Sequence, residues 1–145
     1  AYCTGRGEIL EPVPALSSQQ VCIVKPNVGL STPRVFGALD YDLLSDVDPQ
    51  DLLKRFQSGK LEDSMFINDL EAPAFVCLPE LKDLKDELCL QGFDHVLMSG
   101  SGTSIYCLGM PKDPEGFVEE FGSRDTLQVF FSEFMRRNPG EWYSP

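Results

Sequence analysis

The segment Asp94-His95-Val96-Leu97-Met98-Ser99-Gly100-Ser101-Gly102-Thr103-Ser104-Ile105-Tyr106-Cys107-Leu108 carries the most informative pattern in the chain. An apolar run enters it and an alternating, β-prone run leaves it, which predicts strand, loop, strand. Between them stand two glycines and the hydroxyl residues Ser99, Ser101, Thr103 and Ser104, without charge or bulk. Glycine tolerates positive φ and lets a ligand approach the backbone. Successive N–H groups in such a turn can form an anion-binding concavity, and Ser and Thr hydroxyls can donate to phosphate oxygens. The plainer alternative is a hairpin turn of about five residues, where Gly and Ser are common. Composition alone favours the hairpin. A P-loop is excluded, because no Lys follows and the segment leads into a strand.

N-terminal to this segment, Thr4-Gly5-Arg6-Gly7-Glu8-Ile9-Leu10 predicts a turn leading into a short strand. Val21-Cys22-Ile23-Val24 is a continuous apolar run bounded by Gln20 and Lys25-Pro26, the pattern of a buried strand. Thr32-Pro33 reads as an N-cap followed by the first helical position, with Phe36 one turn on. The free N–H groups of such a start suit an anion, but the residues alone favour the plainer reading, in which Thr32 only caps its own helix and Phe36 belongs to the core. Asp48-Pro49 repeats the device, with Leu52, Leu53 and Phe56 as the apolar face and Gly59 as the stop. A longer helical pattern begins at Asn68-Asp69-Leu70-Glu71. In it Leu70, Ala74, Cys77, Leu78, Leu81, Leu84 and Leu88 share a face, opposite a solvated face of Lys82, Asp83, Lys85 and Asp86. Asn68 or Asp69 is expected to cap it, Pro79 to kink or split it, and Gly92 to end it.

C-terminal to the hairpin, Asp113-Pro114 opens a short helix carrying Phe117, Val118 and Phe121, and Leu127–Phe134 alternates as a strand. Residues 136–145 read as a tail. Four strands and three or four helices predict an α+β domain, a mostly antiparallel four-stranded sheet covered by helices on one face.

At 145 residues and 42% hydrophobic composition, the chain can close one real core. Its net charge of −11 disfavours nucleic acid and anionic membranes as partners, since both reward Lys and Arg. No apolar run approaches the ~20 residues of a membrane span. Cys3, Cys22, Cys77, Cys89 and Cys107 form no C-x-x-C pair, and His95 is the sole histidine, so zinc ligation is not expected. Buried, reduced thiols in an intracellular compartment are the expectation. The opening residues Ala1-Tyr2-Cys3-Thr4-Gly5 hold neither a Met start nor an apolar leader, as though cut from a longer protein.

Leu97-Met98-Ser99-Gly100-Ser101-Gly102-Thr103 resembles the third, C-terminal glycine-rich motif of the GHMP small-molecule kinases. Thr4–Glu8, Pro26–Phe36 and Asn68–Glu71 stand in the order found in the member of that family that serves non-mevalonate isoprenoid synthesis. The tail Glu141-Trp142-Tyr143 resembles the plant members. The resemblance implies a ferredoxin-like C-terminal domain over residues 21–136, a remnant of the N-terminal kinase domain or a linker over 1–20, and a tail over 137–145. It implies ATP-dependent phosphoryl transfer, with Mg²⁺, to the 2-hydroxyl of a cytidine diphosphate substrate. Phe36 would stack on the cytosine, Thr32 and Pro33 would line the same pocket, and Ser99, Gly100, Ser101, Gly102 and Thr103 would lie beside the phosphates. The family's nucleotide loop and catalytic Asp precede the matching blocks. No catalytic residue or metal ligand is therefore expected in this chain, the missing N-terminal kinase domain becomes its partner, and the chain alone should not turn over. Plastid stroma is the implied compartment, with a bacterial cytoplasm as the alternative. The competing expectation is a non-catalytic α+β module that binds a small ligand or another protein.

Overall fold

The computed structural model describes residues 1–14, 18–59 and 61–134, and these fall into two compact units. The smaller unit takes in the described residues of 1–18 and 46–65. In it Tyr2–Thr4 (β1) and Ile9–Glu11 (β2) pair antiparallel, around a turn in which Gly5 and Gly7 have positive φ. The sequence pattern had shown only the second of these strands, because three-residue strands leave almost no periodicity to read. The unit also holds Pro49–Gln57 (α2), where the Asp48 carboxylate accepts from Gln50 N–H at 2.8 Å as the N-cap. Gly59, at φ 76°, follows its end.

The larger unit spans residues 19–45 and 66–134. It contains Gln20–Pro26 (β3), Thr32–Gly37 (α1), Glu71–Cys77 (α3), Pro79–Leu90 (α4), His95–Met98 (β4), Ile105–Leu108 (β5), Pro114–Gly122 (α5) and Leu127–Glu133 (β6). Its four strands form one antiparallel sheet in the order β4-β5-β3-β6. The first strand of the unit thus lies between the third and the fourth, the ferredoxin-like arrangement. Register explains which side chains meet. Cys22 lies opposite Cys107 and Phe131, and Val24 lies opposite Ile105 and Val129, so these residues share one face. That face packs with Val35 of α1, Ala74 of α3, Leu81, Leu84 and Leu88 of α4, and Phe117 and Phe121 of α5. Phe117 stacks on Phe121 at 4.6 Å between centroids and meets Phe93 edge-on at 5.3 Å. The fold is α+β, with helices against one face of an antiparallel sheet.

Pro79 splits the long helical pattern into α3 and α4. Leu78 leaves the helix at φ −146°, ψ 84°, and Pro79 takes a first-turn position of α4, where its missing N–H costs nothing. Ala74, Leu81, Leu84 and Leu88 are buried as the periodicity required, while Leu70, Cys77 and Leu78 are half-buried. Lys85 departs from the expected solvated face: it is half-buried and forms an ion pair with Glu71. Asp113 caps α5 by accepting from Gly116 N–H at 3.0 Å. Phe117 and Phe121 enter the core, whereas Val118 is half-exposed, since it faces away from the sheet on a three-turn helix. The α1 start differs by one residue from the sequence reading. Ser31 holds the N-cap position without a side-chain bond and Thr32 is already helical, which frees the Thr32 hydroxyl for another partner. Of the five cysteines only Cys22 and Cys107 are buried, Cys77 is half-buried, and Cys3 and Cys89 are exposed. Glu141-Trp142-Tyr143 and the rest of the 137–145 tail lie outside the described residues. Among the described residues no helix is long and apolar enough to cross a membrane.

Candidate functional site

Strands β4 and β5 hold the glycine-rich loop as a hairpin connection of residues 99–104. Ser99 N–H donates to Ser104 C=O at 2.8 Å and closes the base of the loop, and Gly102 N–H donates to Ser99 C=O at 3.0 Å inside it. Gly100 (φ 56°) and Gly102 (φ 87°) both lie in the left-handed region, so the loop's course depends on the absence of a Cβ. Their surroundings differ. A Cβ on Gly102 would meet Met98 Sδ at 2.9 Å and Leu81 Cδ2 at 3.4 Å, whereas one on Gly100 would meet nothing within 4 Å. Gly102 is packed from below, and Gly100 faces open space.

Three elements fasten this loop. From α1, Thr32 Oγ1 and Ser101 Oγ share a hydrogen bond of 2.8 Å. From the segment leading into α3, Asn68 Nδ2 donates to both Met98 C=O and Gly100 C=O, each at 2.8 Å. From α3 itself, Glu71 Oε1 accepts from Met98 N–H at 2.8 Å. Lys85 Nζ neutralises that carboxylate at 2.6 and 2.8 Å. β4 is an edge strand, and Asn68 and Glu71 give Met98 the donor and acceptor that a neighbouring strand would have supplied. The Asn68 side chain also accepts from Leu70 N–H at 3.1 Å, closing a turn just before α3, whereas the cap position itself falls on Leu70 without a side-chain bond, so neither Asn68 nor Asp69 holds the expected capping role. Asp69 instead accepts from Ser45 N–H and Oγ.

On the loop's far side Thr103 is 3% exposed and donates to Val28 C=O at 3.0 Å. Lys25 Nζ donates to Thr103 Oγ1 at 3.4 Å and to Pro26 C=O at 3.0 Å. Among the described residues Lys25 has no carboxylate partner, so one cationic group stands beside the loop on an otherwise acidic protein. Burial raises the pKa of the Tyr106 hydroxyl on β5, and the Glu71 carboxylate adds a smaller push in the same direction.

The sequence-derived candidates are therefore partly drawn together. Thr32 touches Ser101 across 69 residues of sequence. Pro33 and Phe36 lie on the same short helix and are exposed, Phe36 by 50%, while its neighbour Val35 is 0% exposed and supplies the core contact. Phe36 is thus not a core residue. Ser99 and Gly100 are exposed, Ser101 and Gly102 half-buried. Asn68, Glu71 and Lys25 were not legible as loop contacts. The Asn-x-x-Glu spacing signals a helix start, and nothing local to it points to a hairpin thirty residues on. Among the described residues no three carboxylate, imidazole or thiol groups converge as metal ligands. His95 stacks on Phe66 at 3.9 Å between centroids, at the opposite end of β4 from the loop.

The C-terminal family of the GHMP kinases matches residues 50–125. The chain is 40% identical over 99% of its length to "4-diphosphocytidyl-2-C-methyl-D-erythritol kinase, chloroplastic" of Mentha piperita, covering 36% of that protein. It is also 40% identical over 99% of its length to the kinase of the same substrate name from Protochlamydia amoebophila, covering 44% of it. A solved 4-(cytidine 5'-diphospho)-2C-methyl-D-erythritol kinase superposes with a TM-score of 0.70 at 27% identity, over 89% of this chain and 47% of that one. Homoserine kinase from Cytophaga hutchinsonii, at 19% identity and a TM-score of 0.54, shares the fold. The chain spans less than half the length of these relatives. With its ferredoxin-like strand order, its glycine-rich hairpin and the matched residues 50–125, the chain belongs to the GHMP kinases, through their C-terminal domain.

Proposed function

We propose that this chain is the C-terminal part of a 4-diphosphocytidyl-2-C-methyl-D-erythritol kinase. The complete protein transfers the γ-phosphoryl group of ATP to the 2-hydroxyl of that substrate in non-mevalonate isoprenoid synthesis. One observation carries the reading: the Thr32–Ser101 hydrogen bond ties the helix that bears Phe36 to the glycine-rich loop. A ligand with a flat base at one end and phosphates further along needs these two surfaces next to each other. The names of the relatives that match nearly the whole chain support it.

In this reading the exposed ring of Phe36 stacks on the cytosine, beside Pro33 and Thr32. Backbone groups of Ser99–Gly102 and the Ser99 and Ser101 hydroxyls face the phosphates, while the buried Thr103 braces the loop from behind and Lys25 adds positive charge beside it. ATP supplies the phosphoryl group. Phosphoryl transfer asks mainly for position and for donors fixed in advance, and a loop held by Thr32, Asn68 and Glu71 offers both. The described residues lack a ligand cluster for Mg²⁺, and no step is assigned to that ion through this chain. The general base and the nucleotide loop belong to the N-terminal domain. Relatives named chloroplastic from Mentha piperita, Arabidopsis thaliana and Solanum lycopersicum support a plastid location, and the Protochlamydia relative keeps a bacterial cytoplasm as the alternative.

The test is a coupled ADP-release assay on the complete protein with the cytidine substrate. Substrate-dependent turnover is expected, and its absence under conditions where the protein is folded overturns the reading. The present chain assayed alone is expected to match a no-enzyme blank.

A further inference from the structure

The Asn68 amide contacts two carbonyls that flank one residue, and this has a stereochemical consequence. In a trans peptide the C=O and the following N–H point in opposite directions. Asn68 Nδ2 holds Gly100 C=O at 2.8 Å, and the Gly100–Ser101 peptide is trans. The Ser101 N–H is therefore turned away from Asn68. Among the described residues that N–H meets no acceptor, and neither does the N–H of Gly100. Without Asn68 the Gly100–Ser101 peptide could flip at small cost, because Gly100 has no Cβ and faces open space. The same amide holds Met98 C=O, the last carbonyl of β4, so the loop's orientation is referred to the sheet.

We infer that Asn68 is a positioning residue for phosphoryl transfer: by clamping the carbonyls of Met98 and Gly100 it keeps the Ser101 N–H aimed at a phosphoryl oxygen. The inference rests on the kinase reading above. Asn68 touches no substrate. It acts through the Gly100–Ser101 peptide, which it orients before substrate arrives, and a donor fixed in advance need not reorganise during reaction.

Asn68→Asp in the complete enzyme separates this role from the turn that leads into α3. A carboxylate keeps the acceptor for Leu70 N–H, and Asp forms such a turn as well as Asn, but it has no donor for the two carbonyls and repels both. The melting temperature is expected to fall only slightly, because the lost bonds are confined to the loop and the core is untouched. kcat is expected to fall about 10- to 100-fold, the range for misplaced or lost oriented donors, with the KM for the cytidine substrate unchanged. Amide hydrogen exchange of the unliganded protein supplies a readout independent of activity. Ser99 and Gly102 amides, both bonded within the loop, should exchange faster in the variant, while α4 amides should not change. Asn68→Ser, which retains an oxygen for the turn but cannot span both carbonyls, should behave alike and covers the case in which the Asp variant does not fold. Wild-type kcat and loop exchange in a folded variant overturn the inference. So does a loss of kcat that merely tracks a large loss of melting temperature in both variants, which would make Asn68 a structural turn residue. If the wild-type complete protein does not phosphorylate the cytidine substrate, the kinase reading fails, and the exchange experiment still decides whether Asn68 orients the loop.

Discussion

Val35 and Phe36 are adjacent on one short helix and meet opposite environments: the first is 0% and the second 50% exposed. Truncating Phe36 should therefore cost little stability. Loss of one stacking face for a pyrimidine is worth ~1–3 kcal/mol, or roughly tenfold to a hundredfold in binding. Phe36→Ala in the complete enzyme is expected to raise the KM for the cytidine substrate by that factor, leaving the KM for ATP and the melting temperature nearly unchanged. Steady-state kinetics and a thermal melt check it together. The two loop glycines make a second residue-level contrast. Gly102→Val drives a branched side chain into Met98 and Leu81 and should unfold the hairpin. Gly100→Val meets no protein atom at Cβ, so its cost to the fold is limited to the ~1–2 kcal/mol of a side chain at positive φ. On the kinase reading proposed above, phosphoryl transfer should nevertheless be lost, because the branch would occupy the space through which phosphate would reach the backbone. Circular dichroism with activity separates the two variants. The need for glycine at both positions was legible in the sequence. Which glycine is packed and which is open was not, because Met98 and Leu81 reach Gly102 only through the fold. Phe36 was ambiguous for a related reason: an aromatic residue on a six-residue helix fits core and binding surface equally well.

Helix starts were the best-read elements. Asp48-Pro49 and Asp113-Pro114 declare themselves within four residues, and both carboxylates cap as expected. Thr32-Pro33 carried the same signature, yet the cap position falls on Ser31 and the Thr32 hydroxyl bonds Ser101 instead. A local motif cannot reveal a competing partner that tertiary structure brings in. Lys85 makes the same point on α4, where helical spacing assigned it to solvent and Glu71 draws it in. That pair supports a prediction at the level of the α3–α4–β4 contact. Glu71→Ala leaves the ammonium of Lys85 half-buried without its counter-charge and orphans Met98 N–H. The cost is expected at ~2–4 kcal/mol, somewhat under that of breaking a fully buried pair. Denaturant unfolding of the complete protein measures it. Adding Lys85→Met to remove the stranded charge should recover part of the loss, and a double mutant no better than the single would mean that Met98 N–H carries the effect.

Across the whole molecule, burial sets the behaviour of the thiols. Burial pushes the Cys22 thiol up to about 11 from 9.0, and it raises Cys107 further, with smaller contributions from Cys22 and Cys89. Both groups thus keep their protons in the fold at a pH where the unfolded chain releases them. The stabilisation they contribute is complete below pH 9 and is lost as pH rises above it. Melting temperature should fall between pH 9 and 11, and Cys22→Ala should flatten that descent. A thiol-specific reagent near neutral pH should modify Cys3 and Cys89 in the native protein and reach Cys22 and Cys107 only on unfolding. The sheet order has a consequence of a different kind, for synthesis. Within this sheet β3 is made first and stays flanked by two open edges until both neighbours exist, and the later neighbour ends at Glu133, paired with Gln20 across 113 residues. Every chain that stops before Leu127 presents Val21-Cys22-Ile23-Val24 without a strand on one side, so premature termination there should release a product with an open, aggregation-prone edge.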